Sequence, residues 1–295
     1  MAQIRANGVS LEVEDHGAAG DPPLLLIMGL GFQLAHWPDT FIDGLVARGL
    51  RVVAFDNRDI GLSQKFDNAP IPNPMELLAM NRGERAAACA YTLHDMAADS
   101  AGLIDALGLG KTHLLGLSMG GMIAQITAAK HGEKVASLTS IMSTTGDPKL
   151  PQATPAAGAA LMSFPPAQDR ETVVRHAMGL VRTIGSPGYP REDDELFAYL
   201  ARAYDRSYYV QGAMRQAAGI IATGNFRSLS ETIDTPSLVI HGREDPLVPV
   251  AAGEDTAAAI QGARLEIIDG MGHDLPPALV PQIVDLVADH VLANA

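Results

Sequence analysis

The feature that most limits how this chain can fold is a series of short, largely apolar runs, each followed by a stretch with helical spacing. The runs lie at 23–28, 50–55, 112–117, 135–142, 237–241 and 264–268. A strand with one wet face alternates apolar and polar residues. Runs without that alternation, such as Leu24-Leu25-Leu26-Ile27-Met28, belong to strands buried on both faces, the habit of parallel strands covered by helices. Only 9–13 alternates, as a half-exposed strand would. Helices are expected over about 38–48, 119–131 and 250–260 and from about 278. Another follows Thr92-Leu93-His94-Asp95, a capping box that opens an apolar face of Met96, Leu103, Ile104 and Leu107. Repetition of strand and helix predicts an α/β fold with a mostly parallel central sheet and helices on both faces.

The alternation stops at Thr144. A Pro-, Ala- and Gly-rich segment over 146–166 precedes three helix-like stretches, near 169–184, 191–206 and 208–222, with no strand among them. The second opens Pro190-Arg191-Glu192-Asp193-Asp194-Glu195, where acids in a first turn suit the positive end of a helix rather than a metal. The chain therefore divides into a core of 1–144 and 227–295 and a helical cap, 145–226, expected over the carboxyl ends of the strands. A length of 295 residues suits one such core with an insertion.

Composition excludes several functions. At 47% hydrophobic and 19% charged residues, the chain has ample material for a packed core. Its 34 acidic against 21 basic side chains give a net charge of −13, which repels phosphate backbones and anionic membranes, so neither nucleic acid nor a membrane is an expected partner. The first twenty residues lack the apolar stretch of a secretory signal, and no run approaches the roughly 18 apolar residues that span a bilayer. With Cys89 as its one cysteine, the chain can form no internal disulfide and supply no thiolate metal cluster. A cytoplasmic protein is the expectation. Nothing in the pattern specifies an oligomeric state.

The sharpest chemical signal is Gly116-Leu117-Ser118-Met119-Gly120, which sits between an expected strand and an expected helix. That context exposes a serine at the apex of a tight turn, with small neighbours that let other backbone pass close. It also aims helix N-terminal amides, Met119's first, at the place where negative charge would develop. A serine hydroxyl needs a base, and the base an orienting acid. Among nine histidines, His131, His176 and His290 fall in helical segments and His113 and His241 on strands, where packed or solvated roles are the default. His273 stands in the loop Gly270-Met271-Gly272-His273, just past a strand. Asp245 leaves the preceding strand in Gly242-Arg243-Glu244-Asp245-Pro246, with Glu244 as its neighbouring competitor; Asp269 and Asp274, flanking the histidine loop, are expected in solvent. The order serine, aspartate, histidine, each beyond the carboxyl end of a strand, is the one that this kind of sheet uses.

With these motifs the chain resembles the α/β-hydrolase superfamily over nearly all of both flanks of the insertion. The runs 24–31 and 56–63 and the pair Trp37-Pro38 are similar to the aclacinomycin methylesterase type of serine esterase. The resemblance implies Ser118 as nucleophile, His273 as base, Asp245 as its orienter, and an oxyanion hole made by the amides of Leu30 and Met119. The first loop reads Met28-Gly29-Leu30-Gly31 where lipases carry His-Gly-Gly-Gly. Gly29, Phe32 and His36 follow as candidate substrate-pocket residues. The implied activity is cofactor-independent and metal-free hydrolysis of a small-molecule carboxylic ester. Methyl esters are among the substrates the resemblance implies, and hydrophobic or aromatic acyl groups suit an insertion that holds five of six tyrosines (Tyr189, Tyr199, Tyr204, Tyr208, Tyr209) with Met162, Phe164, Met178, Phe197 and Met214, although most of these side chains are expected to pack its helices onto the core. Lactone hydrolysis, carbon–carbon bond hydrolysis and peroxide formation use the same triad on this fold, and a poorly catalytic ligand-binding protein would also keep it. The dehalogenases and epoxide hydrolases of the superfamily use an aspartate where this chain has Ser118. A dinucleotide fingerprint over Gly29-Leu30-Gly31 fails because its third glycine would fall on Leu34.

Overall fold

The computed structural model describes residues 2–84 and 89–295. Eight strands form one sheet: β1 (Ala2–Ala6), β2 (Val9–His16), β3 (Pro23–Ile27), β4 (Arg51–Phe55), β5 (Thr112–Leu117), β6 (Val135–Ile141), β7 (Ser237–Gly242) and β8 (Arg264–Ile268). Their spatial order is β1-β2-β4-β3-β5-β6-β7-β8. The β1–β2 and β2–β4 pairs are antiparallel and the others parallel.

Side chains of β3 and β4 divide cleanly between two faces. Leu25, Ile27, Val53 and Phe55 pack with the helices Leu93–Ala106 and Met119–Lys130. Leu24, Leu26, Val52 and Ala54 pack with Asp39–Ala47 and Val280–Leu292 on the other side. Burying each of the larger aliphatic side chains contributes about 1.5–3 kcal/mol, so two covered faces, rather than the backbone ladder alone, hold the sheet.

Three elements depart from the sequence expectation. The strand expected over 9–13 is the second arm of a hairpin whose two-residue turn, Asn7-Gly8, has φ of 46° and 79°. Asn-Gly suits such a turn because both residues tolerate positive φ. A helix at Pro74–Asn81 opens with Asn73 accepting from the Glu76 N–H while Glu76 accepts from the Asn73 N–H. Within the Pro-, Ala- and Gly-rich segment, where the sequence pattern predicts no helix, Thr154 caps one at Pro155–Leu161.

Between β6 and β7 the described residues form helices and no strand: Pro155–Leu161, Arg170–Ile184, Asp193–Arg206, Val210–Thr223 and the short Arg227–Ser230. Arg170–Ile184 and Asp193–Arg206 share a small core in which Val174, Met178, Val181, Leu196 and Leu200 are buried and Phe197 packs against them. Two ion pairs join the insertion to the loop after β4. Arg215 binds Asp59 through two hydrogen bonds of 2.6 and 2.9 Å, and Arg206 Nη1 donates to Asp56 at 2.7 Å. At Gly212 the helix lies so close to this loop that a Cβ would stand 1.9 Å from the Asp59 carbonyl oxygen. Among the described residues no helix is long and apolar enough to cross a membrane, and no three His, Cys, Asp or Glu side chains are grouped to hold a metal ion.

Candidate active site

Ser118 occupies the turn between β5 and the helix Met119–Lys130 with φ 55° and ψ −119°, a conformation few side-chain-bearing residues adopt. The flanking glycines explain how the turn fits. A Cβ on Gly116 would lie 2.1 Å from the Gly120 carbonyl oxygen, and one on Gly120 would lie 1.9 Å from that of Ile27. The turn is tied down by the Ser118 N–H donating to Ile141 O at 2.9 Å and by Ser143 Oγ donating to Ser118 O at 2.8 Å.

His273 reaches the serine from the loop after β8. Its Nε2 is 2.9 Å from Ser118 Oγ, and its Nδ1 is 2.7 Å from Asp245 Oδ2. The second Asp245 oxygen accepts the N–H groups of Leu247 and Val248 at 2.9 and 2.8 Å, which fixes the carboxylate plane. The Asp245 side chain is fully covered and that of His273 is 7% exposed, so water competes little with these bonds. A backbone hydrogen bond to the insertion holds the loop, the His273 N–H donating to Ile184 O at 2.7 Å.

The competing acids are spent elsewhere. Glu244 accepts the Gly270 N–H at 2.6 Å, and Asp269 pairs with Arg243 at the surface. Asp274 is not in solvent as its loop position suggested. Its side chain is 12% exposed because it turns under the insertion, where Oδ1 accepts from the N–H and Oγ of Ser186 at 2.9 and 2.5 Å. The strand histidines are core residues. His113 bonds Ser137 Oγ at 2.8 Å, and burial, aided by His290, lowers its pKa to about 4. His241 bonds Val248 O at 2.8 Å.

The two residues named for an oxyanion hole, Leu30 and Met119, line the same cavity as Ser118. Met119 is the first residue of its helix, so its N–H has no partner within that helix. The loop carrying Leu30 is held on both sides, by Asn57 Nδ2 donating to Met28 O at 2.9 Å and by the Gly31 N–H donating to Gln216 Oε1 at 2.9 Å. A Cβ on Gly29 would come within 3.4 Å of Ser118 Cβ, so this loop leans directly on the serine. Neither the Leu30 nor the Met119 N–H donates to an acceptor among the described residues. Nothing in the sequence pattern marked Gln216, whereas Asn57 stood inside the run 56–63.

Ser118 and His273 open into a cavity of about 380 Å³, and Gly29, Leu30, Phe32, His36 and Met119 line it as well. Met28, Leu117, Met122, Val181 and Ile184 make most of its wall apolar, and the insertion supplies part of that wall. Of the five insertion tyrosines only Tyr199 lines this cavity. Burial pushes the Tyr199 phenol up to about 12, and its O–H donates to His36 O at 2.7 Å. Met162 and Phe164, expected to pack, are 37% and 42% exposed.

The family model for the alpha/beta hydrolase fold matches residues 22–177, more than half of the chain, and the chain belongs to this family. The rhodomycin D methylesterase DnrP of Streptomyces peucetius is 26% identical over 98% of this chain and 97% of its own length. A 2-hydroxy-6-oxononadienedioate/2-hydroxy-6-oxononatrienedioate hydrolase of Cupriavidus pinatubonensis is 26% identical over 86% of this chain and 81% of its own. Among solved structures, an esterase from Exiguobacterium antarcticum superimposes with a TM-score of 0.76 at 21% identity, covering 98% of each chain.

Proposed function

We propose that this protein is a serine hydrolase of small-molecule carboxylic esters, acting through an acyl-enzyme on Ser118, His273 and Asp245, with residues 145–226 as a cap over the site. The observation that carries this reading is the continuous line from Ser118 Oγ through His273, 2.9 and 2.7 Å long, to a covered Asp245, with Ser118 and His273 lining an apolar cavity. Ser118 Oγ attacks the ester carbonyl carbon as His273 Nε2 takes its proton, and Asp245 holds the imidazole in the tautomer that can accept it. The carbonyl oxygen becomes an oxyanion facing the amides of Met119 and Leu30. Collapse breaks the bond to the alcohol, which leaves with the proton from His273. Water, deprotonated by the same imidazole, then attacks the acyl-enzyme, and the carboxylic acid departs as Ser118 recovers its proton.

The apolar wall favours a hydrophobic or aromatic acyl group. The match to a methylesterase over nearly the full length favours a methyl ester over a lactone, a carbon–carbon bond or a peracid. A panel of methyl esters assayed with wild type and Ser118→Ala tests the reading. The substitution is expected to lower kcat by about 10⁴–10⁶-fold, by analogy with serine proteases. Equal rates in the two proteins would remove Ser118 from the chemistry.

A further inference from the structure

His36 is set into the wall of the reaction cavity in a way that leaves one hydrogen bond unmade. Its Nδ1 lies 2.9 Å from the Gln33 backbone nitrogen, which donates to it, and 3.3 Å from the Gln33 carbonyl oxygen. The shorter contact makes Nδ1 an acceptor, so in the neutral ring the proton sits on Nε2. Burial lowers the His36 pKa to about 4; the Gln33 carbonyl opposes this, and Arg202 and Arg206 reinforce it. The ring is therefore uncharged at neutral pH.

The ring plane is held by aromatic neighbours. Phe32 stacks on it at 4.3 Å and 12° between planes, and Tyr199 meets it edge-on at 5.6 Å. Nε2–H has no acceptor among the described residues, and His36, 7% exposed, lines the cavity where a ligand could supply one. A second cavity of about 190 Å³ lies on the insertion side, with Tyr204, Tyr208 and Tyr209 in its wall. The two cavities share Phe32 and His36. The stacked pair is thus a partition, and its one polar atom without a partner is a neutral donor.

We propose that His36 is a specificity-determining residue that donates Nε2–H to a neutral oxygen acceptor of the substrate, a ketone, ether or hydroxyl oxygen set apart from the reacting ester. Once a substrate has displaced water from the cavity, a donor left without a partner is costly, so a ligand that supplies an acceptor is favoured over one of the same size that does not. An ammonium group would set donor against donor. A carboxylate would have to lose its water to a ring that carries no charge. The second cavity leaves room for substrate to continue past the partition.

This inference rests on the esterase reading, and one experiment separates the two. Methyl esters with a ketone at successive positions of the acyl chain, and acetate esters with a ketone in the alcohol chain, are each paired with the all-carbon ester of equal length. In wild type, at least one oxo ester is expected to exceed its partner in kcat/KM by about tenfold to a hundredfold. That ratio should fall to near one in His36→Phe and recover in part in His36→Gln, which restores an N–H. Turnover by wild type with ratios that His36→Phe leaves unchanged overturns the inference and spares the esterase reading. Wild type that cleaves none of these esters overturns both. Binding to Ser118→Ala gives a readout independent of turnover and of how the His36 variants fold. The favoured oxo ester should shift the ¹⁵N–¹H ε2 resonance of His36 and its all-carbon partner should not; identical responses to the two also overturn the inference.

Discussion

Asp245 and Asp59 are both covered to the last side-chain atom, yet their surroundings differ in kind. Asp59 faces the guanidinium of Arg215, the Tyr91 hydroxyl at 2.8 Å and the Phe66 N–H at 3.0 Å. Burial works to raise its pKa, but Arg215, the Phe66 N–H and Tyr91 together hold it below the ordinary value of 3.8. Hydrogen bonding to Asp59 in turn raises Arg215 above its ordinary value, so neither partner changes charge near neutrality. Asp245 accepts hydrogen bonds from two backbone amides and the His273 imidazole, with the His241 ring, itself bonded to Val248 O, 3.7 Å away. A carboxylate locked to a guanidinium is an anchor, here between the loop after β4 and the helix Val210–Thr223. The same carboxylate beside an imidazole orients a group that can take and return a proton.

The largest effect that tests this contrast is expected from Asp245→Asn, which keeps the shape but presents the wrong tautomer to His273. By analogy with the serine protease triad, kcat should fall about 10⁴-fold at neutral pH. Ester turnover above a tenth of wild type would show that another group orients the imidazole. At the anchor the loss should be in stability instead. Arg215→Ala leaves Asp59 buried without its countercharge and should lower unfolding free energy by about 3–5 kcal/mol, read from denaturant midpoints. Asp59→Asn combined with Arg215→Met removes both charges and should recover most of that. A double variant as unstable as the single one would place the cost in packing rather than charge.

Acid sharpens the comparison further. His36 and His113 titrate near 4 in the fold against an ordinary 6.5, so between these values the unfolded chain binds more protons than the native one. Their burial costs nothing above about pH 6.5. As the pH falls the penalty grows, to about 3 kcal/mol for each below about pH 4. The pKa of Asp59 is lowered as well, so acid acts in the same direction there but in a lower window: its stabilisation is complete above its ordinary 3.8 and is lost only as the pH falls through its lower folded value. Denaturant midpoints between pH 7 and 4.5 should therefore decline in wild type and decline less in His36→Phe. Parallel curves would clear His36 of the effect. The smallest change is expected from Gln216→Ala, which frees the Gly31 N–H and the Arg58 carbonyl. With the Leu30 loop held on one side only, kcat/KM should fall severalfold, on the scale of about 1 kcal/mol per hydrogen bond. An unchanged rate would mean that Asn57 alone suffices.

Most of the sheet was legible because two-sided burial writes itself as runs without alternation, and 23–28 and 112–117 needed no partner information to be read. The hairpin at Asn7-Gly8 is legible only in its turn residues, because the short strand before it lies at the sheet edge and carries little apolar signal. The helix at Pro155–Leu161 hid in a segment whose prolines suggested a loop, although Pro155 sits where a helix tolerates it. The candidate site divides in the same way. The turn at 116–120 is a local arrangement, and its glycines are legible from steric need. The Asp59–Arg215 and Asp56–Arg206 pairs join residues about 150 positions apart, and single charges in a sequence do not name their partners.

The sequence by itself determined the parallel sheet, the helical interruption after β6 and the serine at a tight turn, since apolar periodicity and glycine spacing act within a few residues. Only the tertiary structure decided which imidazole stands 2.9 Å from that serine, which carboxylates are covered, and which nitrogen of His36 bears its proton. Those are properties of distance and burial, which exist only once segments far apart in the chain have packed together.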